Sequence, residues 1–427
     1  MSTEVEVETS EYGICKECGN KNTSHGLCKP CISLYFQQNS GNWTSGNKRV
    51  DAVIQESQLN CTTGRGFFEW IPYSKFENIE YIDKGGFGKI YSATWKEGQI
   101  CNLLKTKLYR SGDQKVALKS LNDSQNIPDE FLNEFKNHLK CIENDHIIKC
   151  YGITQDPETK NYMFVMEFVE DGNLRNYLRS NFFKLGWSDK IYILSEISDG
   201  LNYLHHKANV IHKNFHAGNI LSTGVTNLIT DLGLSGPADK TGISKDGERK
   251  IFGVLPYIAP EILSGDNNYS KASDIYGFSM IMFEILTKIP PFHNIPHDND
   301  LAFKICDGYR PTIPTDTKIP QLLIDSMKRC WDENPDQRPT ASELFDHFNK
   351  NLVFIPTPSD VLLPQQSAVF KRLLESEIYK QITECDRLNS TNSSTLPEIQ
   401  IHPSAIYTSR LLNLKNLPKP KNSNDNV

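Results

Sequence analysis

IDKGGFGKIY, residues 82–91, sits between two strand-like runs and brings three glycines into one short turn. Gly85, Gly86 and Gly88 leave backbone N–H groups open to an anion, because no Cβ stands in front of them. A Gly-rich turn alone would equally describe a bare hairpin. Downstream, VALK (116–119) ends a strand-like run on Lys119, and EFLNEFKNHLKCI (130–142) carries Glu134. Phe131, Phe135, Leu139 and Ile142 recur there at helical spacing, which predicts an amphipathic helix. Taken singly, Lys119 reads as a solvated strand edge and Glu134 as a solvated helix face.

The order of further motifs changes that reading. IHKNFHAGNIL (211–221) supplies Asn219 and LITDLGLS (228–235) supplies Asp231, an amide and a carboxylate suited as hard oxygen donors to Mg²⁺ on phosphates. IAPE (258–261) adds Glu261, SDIYGFSMIMFEI (273–285) adds Asp274, and CWDENPDQRPT (330–340) adds Arg338. A buried Glu261–Arg338 ion pair is expected. A glycine flap, a strand lysine and a helix glutamate form a device in which Lys grips the α/β-phosphates of ATP and Glu orients the Lys. Strand-rich sequence up to Phe168, then helix-rich sequence from Asn173, predicts an α+β fold of two lobes with a cleft between them.

Along its whole length this segment resembles the eukaryotic protein-kinase superfamily, nearest the tyrosine-kinase-like group. The cysteine-rich start, WTSGN (43–47), FENIEYIDKGGFGKIY (76–91) and HPSAIYTSRLLN (402–413) further resemble an expanded fungal family of such kinases. The resemblance implies the two-lobed protein-kinase fold, with a β-rich N-lobe and a helical C-lobe. It also implies Met166 as gatekeeper, backbone at Glu167 to Val169 meeting the adenine edge, and Ile90, Ala117 and Leu221 sandwiching the ring. Core packing describes these apolar positions equally well.

The pattern departs from the family at its chemical centre. His-Arg-Asp is replaced here by His212, Lys213 and Asn214. The family Asp accepts the hydrogen bond, and eventually the proton, of the substrate hydroxyl. An amide oxygen can orient that hydroxyl but takes up no proton at neutral pH. A positioned base contributes about 10²–10⁴ in rate. Because the phosphoryl-transfer transition state is loose, a residual rate is expected, well below the roughly 1–100 s⁻¹ of kinases. His216 stands where a lysine usually touches the transferred phosphate, Val254 replaces a threonine, and Asp83 replaces the first flap glycine. His216 and Val254 read either as family habits or as damage. Lys213 lacks the bidentate fork of Arg, which weakens the pocket for a phosphorylated loop. Thr241 and Ser244, between Asp231 and Glu261, are the hydroxyls available there.

CKECGNKNTSHGLCKPC (15–31) carries two C-x-x-C pairs, Cys15 with Cys18 and Cys28 with Cys31. Two such turns complete a tetrahedral Cys₄ zinc site; a redox pair or a degenerate remnant are the rival readings. His25 lies near enough in sequence to replace one ligand. A zinc-knuckle-like element this small needs its metal to fold.

Boundaries follow: 1–11 a disordered leader, 12–36 the Cys₄ element, 37–75 a linker opening on NSGNWTSGN, 76–349 the kinase domain, and 350–427 a tail. In the domain, WSDKIYILSEISDGLNYLHH (187–206) predicts a helix capped by Ser188. In the tail, QSAVFKRLLESEIYKQITECDRL (366–388) predicts a helix with Phe370, Leu373, Leu374, Ile378 and Ile382 on one face. NSTNSST (389–395) reads as a flexible break and NLPKPKNSNDNV (416–427) as disorder. Lys plus Arg number 46 against 52 Asp plus Glu, a net charge of −6, which excludes nucleic-acid or membrane-surface binding driven by bulk positive charge. The most apolar stretch, Phe278–Leu286, is too short to span a bilayer. MSTEVEVETS has no apolar core and is no secretory signal. Eleven cysteines without an export signal indicate a reducing compartment, cytosol or nucleus.

Three readings of function result. The first is an ATP- and Mg²⁺-binding signalling protein with weak or absent phosphotransfer. The second is a working serine/threonine or dual-specificity kinase that tolerates Asn214. The third makes the zinc element a protein-interaction module on a kinase-fold platform. Substrates and partners are not specified by the sequence.

Overall fold

A computed structural model of the chain describes residues 12–23, 28–39, 44–62, 66–84, 88–104, 107–121, 124–236, 251–265, 268–315, 317–352, 376–391, 399–414 and 417–421. The leader, His25, Gly85, Gly86, Thr241, Ser244, Phe370, Leu373 and Leu374 lie outside the described residues. The chain divides into two compact units, residues 1–143 with 148–168, and residues 144–147 with 169–427.

Unit 1 begins with a short hairpin, bridged between Ile14 and Lys21, and then helix α1 (Lys29–Asn39). Within the stretch read as linker, Lys48–Asn60 forms a second helix, α2. Ser45 and Asn47, just before it, serve as cap chemistry. Asn47 Oδ1 accepts from Arg49 N at 2.9 Å, and Asp51 accepts from both the backbone N–H and the hydroxyl of Ser45 at 2.7 Å. The helix buries Val50, Val53 and Ile54 on one face. Each such side chain contributes roughly 1.5–3 kcal/mol when removed from water.

The strands follow: β1 (Glu69–Trp70), β2 (Phe76–Lys84), β3 (Gly88–Trp95), a side hairpin of β4 (Ile100–Leu104) and β5 (Lys107–Arg110), and β6 (Gln114–Leu121). Helix α3 (Asp129–Lys140) precedes β7 (Cys150–Gln155) and β8 (Tyr162–Glu167). Among the described residues, six strands join in the order β1-β7-β8-β6-β3-β2. One face packs Ile71, Phe76, Ala93, Trp95, Val116, Leu118 and Val165 into a core.

Unit 2 is helical. It contains α4 (Leu174–Asn181), α5 (Trp187–Asn202), the hairpin of β9 (Ile220–Ser222) and β10 (Asn227–Ile229), and β11 (Ile251–Gly253). Helices α6 (Pro260–Leu263), α7 (Lys271–Thr287), α8 (Asn299–Cys306), α9 (Gln321–Cys330), α10 (Ala341–Leu352) and α11 (Glu377–Thr391) follow, then β12 (Arg410–Leu412). Gly186, not Ser188, caps α5: its N–H donates to Asp189 Oδ2 at 2.8 Å, so the helix starts two residues earlier, at Trp187. The apolar run Phe278–Leu286 belongs to α7, which is buried on all sides. No helix among the described residues is long and apolar enough to cross a membrane.

The tail departs from its reading. Helix α11 extends to Thr391, into the expected flexible break, burying Ile378, Ile382 and Cys385. Gln381 Oε1 accepts from Leu322 N at 2.9 Å, which ties it to the start of α9. Part of the expected disordered end also has a place: Lys421 N donates to Cys306 O at 2.8 Å, and its ammonium lies 2.9 Å from Asp307.

Candidate functional site

In unit 1 the site grows from strand alternation. Val116 and Leu118 face the core, so Ala117 and Lys119 emerge on the opposite side of β6. Ala117 stands opposite Met166, and Lys119 stands between Ile90 on β3 and Phe164 on β8. Helix α3 packs on this face, with Phe131 stacked on Phe164 at 4.4 Å. That contact sets the helix rotation which presents Glu134, whose Oε1 lies 2.7 Å from Lys119 Nζ. Gly88 opens β3 opposite Leu121. Glu167 ends β8, where its N–H donates to Lys149 O at 2.9 Å.

In unit 2 the loop from Ile211 to Asn219 is held from below by Asp274 on α7. Its carboxylate accepts from His212 N (2.7 Å), Lys213 N (2.9 Å) and His205 Nε2 (2.9 Å). Lys213 and Asp231 both take left-handed backbone conformations, φ 67° and 63°. Such residues persist where the surroundings over-determine them. Gly277 is required for the close approach of α7, since a Cβ there would meet Phe215 O at 2.6 Å. Away from the loop, Arg338 donates twice to Glu261, each bond 2.8 Å, forming the expected buried pair.

Three predicted polar residues meet at this loop. Asn219 Nδ2 donates to Asn214 O at 3.0 Å and lies 3.4 Å from Asp231 Oδ2; Asn214 Nδ2 lies 3.5 Å from the same oxygen. Leu221 pairs opposite Leu228 beside them, and Val169 is buried. His216 is buried, and its pKa falls to about 3 through burial and the nearby Arg175 charge. The imidazole is therefore neutral. Its Nδ1 accepts from Gly218 N at 3.1 Å, which leaves the proton on Nε2.

Sequence reasoning missed what surrounds this cluster. Arg175 on α4 pairs with buried Glu284 on α7 at 3.0 Å and donates to Tyr257 OH at 2.7 Å. Ser409, from the tail, hydrogen-bonds both Asn214 and His216. An aromatic–hydroxyl–basic pattern in IYTSR was the available signal.

The four N-terminal cysteines also converge, with all Sγ atoms within 4.8 Å of one another, so the cluster could hold a metal ion. Sγ–Sγ distances of 3.8 Å (Cys15–Cys31) and 3.2 Å (Cys18–Cys28) compare with about 3.8 Å for a tetrahedron of 2.3 Å metal–sulfur bonds. Cys15 and Cys18 lie in the hairpin, and Cys28 and Cys31 bracket the N-terminus of α1. Hydrogen bonds from the backbone and side chain of Asn20 lower the Cys18 thiol to about 6, toward the thiolate form a metal takes, whereas burial pushes the Cys28 thiol up and the hydrogen bond to Cys28 pushes Cys31 up.

Residues 76–348, well over half of the chain, match the family described as protein tyrosine and serine/threonine kinase. The chain belongs to this kinase family. It is 26% identical over 314 residues to the probable serine/threonine-protein kinase pats1 of Dictyostelium discoideum, covering 71% of this chain and 9% of that protein. It is 30% identical over 276 residues to tyrosine-protein kinase SPK-1 of Girardia tigrina, covering 62% and 51%. Against the stress-activated protein kinase alpha of D. discoideum, identity is 26% over 284 residues, covering 64% and 41%. The alignments thus take in from about a tenth to about half of these relatives' lengths. Kinase domains generally take ATP and Mg²⁺.

Proposed function

We propose that the chain is a signalling protein whose kinase domain binds ATP and Mg²⁺ but transfers phosphate weakly or not at all. In this reading Lys119, oriented by Glu134, holds the α/β-phosphates, and the flap at Gly85, Gly86 and Gly88 covers them. Ile90, Ala117, Met166 and Leu221 take the adenine, whose edge meets backbone at Glu167 and Val169. Asn219 and Asp231 would hold Mg²⁺, which would supply neutralisation of the phosphate charge. The single observation that supports this reading is the Lys119–Glu134 pair at 2.7 Å.

Weak transfer follows from the chemistry of Asn214 and His216. The amide oxygen of Asn214 accepts a hydrogen bond without taking a proton. His216 carries its proton on Nε2, the nitrogen that faces Ser409, and its depressed pKa makes it a poor base. A bound hydroxyl would be oriented, not deprotonated. Serine/threonine or dual-specificity transfer is the second reading, supported by that same intact pair and by relatives whose names carry kinase activities. We further assign zinc to the Cys15, Cys18, Cys28 and Cys31 cluster on its sulfur spacing, leaving room for an interaction-module role. Membership of the tyrosine-kinase-like group, and of the fungal family resembled, rests on the motifs alone, as does placement in cytosol or nucleus.

Thermal denaturation with Mg-ATP tests the nucleotide reading, because a ligand that binds the folded state raises the melting temperature. Millimolar Mg-ATP should raise it by several degrees in the wild type and by less in Lys119→Met. No shift in the wild type, with Lys119→Met behaving identically, overturns the reading.

A further inference from the structure

Residues 399–414 run across unit 2 as an extended segment rather than dangling from it. Strand β12 adds antiparallel to β11, pairing Leu412 with Ile251, Leu411 with Phe252 and Arg410 with Gly253. Strand addition draws its affinity from main-chain hydrogen bonds and its selectivity from alternate side chains. Here those side chains are Tyr407 and Ser409, two residues apart, with Thr408 between them exposed.

Tyr407 anchors the segment. Its ring lies 4.5 Å from the Arg175 guanidinium and meets His297 edge-on at 4.8 Å, and its hydroxyl donates to Pro291 O at 3.0 Å. Backbone and charge hold either side. His297 Nδ1 lies 3.0 Å from Ile406 O, His297 N donates to Ser404 O at 3.0 Å, and Arg410 donates to His297 O at 2.6 Å. Upstream, the surface opens into a cavity of about 710 Å³ between Arg175, Glu284, His293 and residues 399–401. The segment therefore lies in a groove that continues beyond it.

Ser409 is presented to the family's catalytic position. Its Oγ lies 2.8 Å from Asn214 Nδ2, 3.0 Å from Asn214 Oδ1 and 3.1 Å from His216 Nε2. Because His216 Nδ1 accepts from Gly218, Nε2–H donates, and the serine hydroxyl in turn donates to the amide oxygen. The hydroxyl is fully bonded, and none of its partners accepts a proton at neutral pH. It is gripped without being activated.

We infer that residues 402–412 are a ligand in cis, a built-in peptide that occupies the groove beside β11 and excludes other peptides from it. The partner class it competes with is an extended peptide carrying a hydroxyl residue, with an aromatic residue two positions before it and a basic residue just after. Access to the groove is then set by release of the tail. These contacts lie within one unit and do not depend on nucleotide.

The test uses full-length chains without nucleotide. In the wild type, the amides of β11 and β12 should exchange slowly, and a fluorescein-labelled HPSAIYTSRLLN peptide should bind poorly. Tyr407→Ala removes the anchor, and Ser409→Glu sets a carboxylate near Asp231. Either full-length variant should lose tenfold or more of that local protection and bind the peptide at least tenfold more tightly. The same peptide with alanine for its tyrosine should stay unbound. The inference is overturned if the wild type binds the peptide as tightly as both variants, or if both variants, folded by their melting curves, keep the protection or fail to bind the peptide. Should one variant not fold, the other decides alone.

Discussion

Asn214 differs from aspartate by one group, yet its surroundings make that group count. Its amide nitrogen faces Asp231 at 3.5 Å, a contact that costs nothing in repulsion while residue 214 is neutral. With aspartate there, two carboxylates approach, and Mg²⁺ must offset them. Asn214→Asp should therefore raise phosphotransfer by about 10²–10⁴, the range of a positioned base. That corresponds to about 3–5 kcal/mol of barrier. The gain should need Mg²⁺, and without it the variant should melt below the wild type. A silent variant that still binds ATP would instead place the lesion at His216, Val254 or Asp83 as well. Lys119, Glu134, Asn219 and Asp231 are singled out by the sequence because each sits in a short motif of fixed order. Ser409 is not, because 195 residues separate it from Asn214 and only the folded chain joins them.

At the scale of elements, amphipathic helices are read well and caps less well. The 3.6-residue period places α3 correctly to within a residue or two, and Ile378 and Ile382 do fall on the buried face of α11. By contrast, α2 hides behind Ser45, Gly46 and Asn47, residues that serve equally in loops and at helix starts. The cysteine element combines both cases. The C-x-x-C spacing announces convergence, while the hairpin and the α1 N-terminus that produce it carry little sequence signal. Protein purified without chelator should carry close to one zinc per chain. Cys15→Ser with Cys18→Ser should lose it, and metal analysis decides. Because small metal sites fold with their ion, zinc removal should also expose residues 12–39 to protease, leaving the rest of the chain resistant. Metal-free wild type would leave the redox-pair and degenerate-remnant readings.

At the scale of the whole chain, strand-rich then helix-rich composition foretells the two units, since each must bury its own apolar faces. What composition does not foretell is that a tail of mixed character returns to unit 2 and joins β11. On the reading proposed above, that return adds a second cause for weak transfer: beside the missing base at Asn214, a groove already filled by Ser409. Tyr407→Ala separates them, because it addresses the groove and leaves Asn214 unchanged. The most direct measurement is therefore phosphate transfer from radiolabelled Mg-ATP, at saturation, by the wild-type chain and by Tyr407→Ala, on samples whose ATP binding is already measured. Both chains should bind ATP and both should turn over far below the roughly 1–100 s⁻¹ of ordinary kinases; turnover within that range by either chain would contradict weak phosphotransfer at Asn214.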